Sequence, residues 1–150
     1  METLLRLFPS TLSPDVHVRR ASEQELHQLE SQPGMLAASF QLVASPEVDT
    51  SIRQAAAIYV KNRISRTWDA SLARGFSDAP SAVSDQDKEV VRSGLLPTIA
   101  SLPPTLRVHI ASAMYSIVRC DFPQAWPTLT EEIVQVPVSY THLRAHETRG

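Results

Sequence analysis

The chain marks its turns with proline rather than glycine, and this limits the folds that it can adopt. Only four glycines occur among its 150 residues, which is roughly 3% against an average near 7%. The eleven prolines are scattered along the chain. Hairpin-rich β proteins and phosphate-binding loops need more glycine, whereas proline often opens a helix. The sequence therefore predicts helices joined by proline-marked turns.

Apolar residues recur at helical spacing between these turns. The clearest predicted helix covers 47–68, with acidic residues at its start and basic residues at its end, as the helix macrodipole favours. Later in the chain the apolar residues are spaced by four, three and four, at Leu106, Ile110, Ala113 and Ile117. In the first two predicted helices the apolar faces are Leu4, Leu5 and Phe8, then Val18, Ala21, Leu26 and Leu29. The pattern predicts six or seven helices in antiparallel pairs and no strand.

Three local signals refine this pattern. Ser84 and Asp87 fit a capping box, in which Ser84 caps a helix and the Asp87 side chain reaches back to the cap. Pro97 is expected to kink the helix that follows. Cys120 lies at a predicted helix end, where we expect a small buried residue rather than a reactive thiol.

Composition excludes several kinds of site. A net charge of −2 provides no basic field for direct nucleic-acid binding, and no apolar run is long enough for membrane insertion. One cysteine rules out a disulfide framework and a multi-cysteine metal site. A small helical enzyme would need convergent titrating groups in a polar pocket, and the sequence offers no such set. We therefore predict that the chain is not an enzyme and has no catalytic, cofactor-binding or metal-binding residue.

A short pattern repeats where the second helix of each predicted pair begins. It is an apolar residue followed by arginine, at Val18-Arg19, Ile52-Arg53 and Leu106-Arg107. The arginines are 34 and 54 positions apart, and the longer spacing contains a predicted loop at 69–83. Helix pairs of this period are typical of HEAT-like repeats. We therefore predict an all-α fold, a right-handed α-solenoid of HEAT-like helix pairs, with three repeats and the start of a fourth over 1–135: 1–31, 32–68, 84–121 and 124–135.

Residues 52–62 and Trp68 resemble the N-terminal motif of the importin-β family, the karyopherins. That motif places an apolar-Arg-Gln-Ala run before a Lys-Asn pair and a downstream tryptophan. The segments 106–108 and 121–127 are similar to the branch that contains importin-seven and importin-eight, so the resemblance covers about 3–135. The motif residues for which we expect structural roles are Arg53, Gln54, Ala55, Tyr59, Trp68, Phe122, Pro123 and Trp126. Tyr59 and Trp68 are expected in the core, Trp126 between two repeats, and Arg53 on carbonyls or acids of a neighbouring repeat.

The resemblance implies a transport function. In the family, the second helices of the first repeats bind the GTP form of the small GTPase Ran, and this binding releases import cargo in the nucleus. The chain is thus expected to be an N-terminal fragment of an import receptor that shuttles between cytoplasm and nucleus. Cargo proteins and nucleoporins are expected on later repeats. The candidate Ran-binding residues are Lys61, Asn62, Arg63 and Arg66. The alternative is a HEAT-repeat scaffold or an exportin-like adaptor without import activity.

The last segment, 136–150, departs from the family. It resembles a translated adapter sequence found at the ends of truncated transcripts, and we expect it to be disordered or non-native. His142 and His146 are four positions apart, but Leu143 stands where the zinc-protease pattern needs glutamate. Because an unstacked last repeat exposes apolar surface, we expect partial aggregation or weak GTPase binding of this chain.

Overall fold

The computed structural model describes residues 1–69 and 82–135, which form helices and no strand. The predicted tail and most of the predicted loop at 69–83 lie outside these residues. The helices are α1 (Glu2–Ser10), α2 (Val16–Leu29), α3 (Met35–Ala44), α4 (Thr50–Thr67), α5 (Asp85–Ser101), α6 (Pro104–Asp121) and α7 (Leu129–Val134). The all-α prediction is confirmed. Within the described ranges, no helix is both long and apolar enough to cross a membrane.

Consecutive helices pack as pairs, and the pairs stack side by side. Helix α1 packs on α2, α3 on α4, and α5 on α6, while α3 contacts α5 and α4 runs along α6 between pairs. Helix α4 also packs against α1, so it is the most central element. Its buried face carries Ala55, Ala56, Ala57, Val60 and Ile64. The small alanine side chains allow the neighbouring helices to approach closely, which is the stacking expected of HEAT-like pairs.

Two of the repeated arginines, Arg53 and Arg107, join the helices of their pairs, and Arg19 bonds the turn before its own helix. Arg53 Nε donates to Val43 O at 3.0 Å, near the end of α3. Arg107 Nη2 donates to Leu102 O at 2.8 Å, just after α5, and Arg19 Nη1 donates to Ser13 O at 3.2 Å. Carbonyls at a helix end lack partners in the helix itself and favour a positive charge. The prediction that Arg53 bonds a neighbouring repeat is wrong, because its partner lies in its own pair.

The turn between α2 and α3 is fixed by a bond from the third pair. Gly34 has φ 93°, a left-handed conformation that favours glycine, and its N–H donates to Asp87 Oδ2 at 3.1 Å. Ser84 Oγ accepts from Asp87 N–H, as predicted. The Asp87 carboxylate does not reach back to Ser84 as the capping-box prediction required. It accepts a hydrogen bond from the distant Gly34 N–H instead, because the fold brings that otherwise unsatisfied donor within reach.

Several exposure predictions need correction. In α1 the buried residues are Leu4, Leu7 and Phe8, whereas Leu5 is exposed. In α2 only Ser22 and Leu26 are buried, while Val18 and Ala21 are exposed. Cys120 is also exposed, contrary to the prediction. These errors share a cause: helical spacing identifies an apolar face, but the neighbours that cover it come from tertiary packing. Helix α5 includes Pro97, and the kink expected there stays a prediction.

Replacing Arg53 by methionine should weaken the second pair. The change keeps an apolar stem but leaves the Val43 carbonyl without its donor, so we expect the free energy of unfolding to fall by about 2 kcal/mol. Urea unfolding followed by circular dichroism measures this. The exposed neighbour Gln54, changed to methionine, is the matched control and should lose little. Equal losses for both variants would contradict the role given to Arg53.

Replacing Gly94 by alanine should also destabilise the protein. A Cβ at Gly94 would lie 2.9 Å from Cε1 of the buried Phe40 ring. We expect a net loss of about 1 kcal/mol, because overpacking costs about 1–3 kcal/mol and outweighs alanine's helix-propensity gain of about 1 kcal/mol over glycine. Thermal unfolding of Gly94→Ala checks the sign. Ser93→Ala on the exposed side is the control, and a stabilising Gly94→Ala substitution would refute the close contact.

Candidate interaction groove

An open groove of about 520 Å³ separates α2 from α4. Apolar groups from both helices and from the preceding turn form part of its wall, and polar side chains stand among them. The residues that line it are Thr11, Leu12, Glu23, Leu26, His27, Glu30, Ala55, Ile58, Tyr59, Asn62, Ser65 and Arg66. This groove arises because α2 packs on α1 while α4 packs on α1, α3 and α6. It combines an apolar lining with charged groups, as partner-binding surfaces often do.

A buried carboxylate organises one wall of the groove. Glu30 directly follows α2, and its side chain is 3% exposed. Its Oε1 accepts from Tyr59 Oη at 2.9 Å and lies 3.6 Å from Arg66 Nη2. Its Oε2 lies 3.3 Å from His27 Nδ1. Burial, and then the negative charge of Glu30, raise the pKa of Tyr59, so its phenol keeps the proton that it donates.

Arg63 lies beneath this carboxylate rather than on the surface. The residue is 1% exposed, and its Nη2 donates to Glu30 O at 3.1 Å. Within the described residues its Nε and Nη1 have no hydrogen-bond partner. The guanidinium therefore holds the end of α2 against α4. It is not exposed to a partner in this structure, although Arg63 was predicted to bind Ran together with Lys61, Asn62 and Arg66.

The other three candidate Ran-binding residues divide between two sides of α4. Asn62 is exposed and lines the groove, as does Arg66, whose side chain is 48% exposed. Lys61 is half-buried on the side that faces α6. Burial, and then the positive charge of Lys61, lower the pKa of the His109 imidazole on α6. The structure brings Asn62 and Arg66 together but separates them from Lys61.

The family-motif residues around Trp68 form a second polar cluster. Trp68 is buried, and its Nε1 donates to Asp121 Oδ2 at 3.0 Å. Arg92 Nη1 donates to the same oxygen at 2.7 Å, and Lys88 Nζ lies 5.2 Å from the Trp68 ring centroid. These contacts tie the end of α4 to α5 and to the end of α6. They place Asp121 and Trp68 at the junction of the second and third pairs.

The remaining motif residues lie at the same end of the chain or on α4. Phe122 and Pro123 are exposed and follow α6. Trp126 is buried and its Nε1 donates to Glu132 Oε2 at 2.6 Å, so its polar partner lies in α7. On α4, Ala55 is buried and lines the groove, and Gln54 is exposed.

Sequence reasoning did not single out Glu30, and it gave no separate role to Asp121 or Arg92. Asp121 lies inside the quoted aromatic-proline motif, so that motif could have identified it. Glu30 gives no such signal, because a glutamate at the end of a polar helix is usually solvated. Its burial depends on Tyr59 and Arg66, which are supplied by a helix 29 and 36 positions away.

Replacing Lys61 by methionine should raise the pKa of His109 towards its usual value of 6.5. Because the pKa of His109 is lower in the folded chain, the unfolded chain binds more protons than the folded chain once the pH falls below about 6.5. His109 therefore makes the fold less stable as the pH falls below that value. Removing Lys61 reduces this loss. NMR titration of the His109 ring measures the shift, with Lys88→Met as the control. An unchanged His109 pKa would contradict the close approach of Lys61 to His109.

Comparison with known proteins identifies the family. The Importin-beta N-terminal domain model matches residues 22–101. The Importin beta-like SAD2 homolog of Arabidopsis thaliana is 33% identical over 126 residues, which cover 84% of this chain and 12% of that protein. The probable importin-7 homolog of Dictyostelium discoideum is 30% identical over 131 residues, covering 87% of this chain and 12% of that protein. The importin-seven and importin-eight branch is thus among the relatives, although not alone.

Two solved structures share the fold. One is the exportin Cse1 in its cargo-free, cytoplasmic state, with a TM-score of 0.73 and 30% identity over 87% of this chain and 13% of that chain. The other is a Kap95p structure, in which Kap95p binding induces the switch loops of RanGDP to adopt the GTP-bound conformation. It has a TM-score of 0.70 and 23% identity, over 93% of this chain and 18% of that chain. These likenesses confirm the predicted solenoid of HEAT-like pairs, and the family is one of transport receptors rather than enzymes. The chain belongs to the importin-β family.

Proposed function

We propose that the chain is the Ran-binding segment of a nuclear import receptor. The observation that carries this proposal is the surface of the second helices, α2, α4 and α6. Helix α4 lies inside the residues that match the Importin-beta N-terminal domain, and α6 follows directly after them and packs along α4. Because the chain resembles this family, we expect GTP-loaded Ran to contact these helices. Exposed or half-exposed polar groups from α4, Lys61, Asn62 and Arg66, stand on that surface. Their charges and amide can steer and orient an acidic partner surface.

Other parts of the transport cycle belong to the same proposal. The chain spans about an eighth of the length of the curated relatives compared above. Cargo proteins and nucleoporins are therefore assigned to repeats beyond the residues present here. Residence in both cytoplasm and nucleus follows from the proposed role, because an import receptor crosses the pore in both directions.

The proposed mechanism is a shift between two populations of one receptor. Cargo and GTP-loaded Ran prefer different states of a flexible solenoid, so binding of one lowers the affinity for the other. Stacked helix pairs suit this mechanism because each pair contacts only its neighbours and small rotations accumulate along the array.

An exportin-like adaptor is the second candidate. Its support is the 30% identity to the exportin Cse1 over most of the chain. The two candidates differ in what GTP-loaded Ran does to a protein already bound to the receptor. The import role predicts release, and an adaptor without import activity predicts that the bound protein stays.

Binding to immobilised Ran tests the main proposal. We expect Ran loaded with a non-hydrolysable GTP analogue to retain the chain, and Ran loaded with GDP to retain it much less. Charge reversal by Lys61→Glu should weaken the affinity about tenfold, equivalent to about 1.4 kcal/mol, and should reduce its salt dependence. Surface plasmon resonance at two salt concentrations measures both effects.

The control is Arg6→Glu, an exposed arginine on α1 whose partner is Glu25. It makes the same charge change outside the second helices and should leave the affinity unchanged. Equal retention of the chain by both nucleotide states, or no retention by either, contradicts the proposal. Equal losses for the Lys61 and Arg6 variants would move the binding surface away from α4.

A further inference from the structure

Helix α1 packs directly on α4, whereas α2 makes its polar contacts to α4 through one residue. Within the described residues, every hydrogen bond or ion pair between α4 and the α2 segment involves Glu30. Tyr59 and Arg66 contact its carboxylate, and Arg63 donates to its backbone carbonyl. The other ion pair of α2, from Glu25 to Arg6, leads to α1. Glu30 is thus the polar connection across the groove.

Direct packing between α2 and α4 is sparse within the described residues, and α2 joins the apolar core mainly through α1. Helix α2 buries Ser22 and Leu26 and has α1 as its close neighbour. Helix α4 takes its close neighbours from α1, α3 and α6. The groove of about 520 Å³ occupies the space between α2 and α4. By contrast, α4 and α6 pack along each other, so their spacing is set by side-chain contact.

The charge of Glu30 is also needed where it lies. Arg63 is buried below it, and Arg66 approaches it from the rim of the groove. The carboxylate is the one anionic group described within 4 Å of Arg66. Neutralising Glu30 takes the ion-pair partner from Arg66 and removes a negative charge from the residue whose backbone carbonyl the buried Arg63 contacts. A buried guanidinium with less compensating charge is unfavourable. The two helices can relieve this strain by moving apart, since water then reaches the guanidinium groups.

We infer that Glu30 is a positioning residue that sets the spacing between α2 and α4, and so the width of the groove. The inference deepens the proposed function, because the groove lies on the surface offered to the GTPase. Neutralising Glu30 opens the groove while the packing of α3 to α6 remains. The width of the groove can be measured without any partner, so this inference and the proposed function can fail separately.

Spin labels across the groove measure its width. In a Cys120→Ser background, Gln24→Cys on α2 and Ser65→Cys on α4 place labels at exposed positions on its two sides. Glu30→Gln keeps the shape of the side chain and removes the charge. We expect the distribution of label distances to lengthen and broaden in this variant. Glu25→Gln, at an exposed position of the same helix, is the matched control and should leave the distribution unchanged.

Hydrogen exchange separates positioning from general stability. Glu30→Gln should increase the exchange of α2 amides severalfold and leave α6 amides almost unchanged. Proportional losses of protection in α2 and α6 would show a merely structural role and overturn the inference. Identical distance distributions in the Glu30 and Glu25 variants would overturn it as well.

A second variant keeps the test valid if Glu30→Gln does not fold. Arg66→Met removes the half-exposed partner, and Tyr59→Phe removes the phenol donor. Each should lengthen the label distance less than Glu30→Gln does. Adding Arg66→Met to Glu30→Gln should cause little further change, because both act through one contact. Fully additive changes, or no change in either single variant, would contradict the role of Glu30.

Affinity for GTP-loaded Ran gives a further readout. If both proposals hold, Glu30→Gln weakens binding and Glu25→Gln does not. If the label distance changes but no variant or parent chain binds Ran, the positioning role stands and the proposed function is wrong. If the parent binds Ran and the distance stays fixed, the proposed function stands and the positioning role is wrong.

Discussion

Stacking of helix pairs around α4 is the constraint on which the rest of the structure depends. A pair of amphipathic helices cannot bury its apolar face alone, so each pair needs a neighbour. Stacking also brings helix ends together, where carbonyls and N–H groups lack partners in their own helix. The chain satisfies these groups with charged side chains. Arg53 and Arg107 serve carbonyls within their pairs, and Asp87 serves the Gly34 N–H of another pair.

The junctions between pairs use different means. Between the second and third pairs, α4 packs along α6, and Trp68, Arg92 and Asp121 add hydrogen bonds at the end. Between the first and second pairs, α1 contacts α4, and α2 remains separated from α4 by the groove. The first pair therefore has fewer restraints on its second helix. Local stability is expected to be lowest there, since few buried apolar contacts oppose opening.

The helices could be predicted from the sequence because their signals are local. The stripe Leu106, Ile110, Ala113 and Ile117 is buried as predicted, and Ser84 caps α5. Predictions that depended on a distant neighbour were less successful. Leu5 and Val18 have the right spacing, but both side chains are exposed. Arginine is usually a surface residue, but Arg63 is buried because its guanidinium donates to the backbone carbonyl of Glu30 from another pair. The candidate surface was predicted as one basic cluster, whereas the helical rotation of 100° per residue separates Lys61 from Asn62 and Arg66.

The bond between Gly34 and Asp87 restricts how the chain can vary in length. Its two ends lie 53 positions apart, and each belongs to the start of a helix. An added residue in the turn before α3 would move the Gly34 N–H away from the Asp87 carboxylate. It would also shift the glycine out of the position that needs a left-handed backbone conformation. Between these two starts, the segment 70–81 carries neither partner of the bond. Lineages that descend from a common ancestor should therefore differ in length between α4 and α5 far more than between α2 and α3.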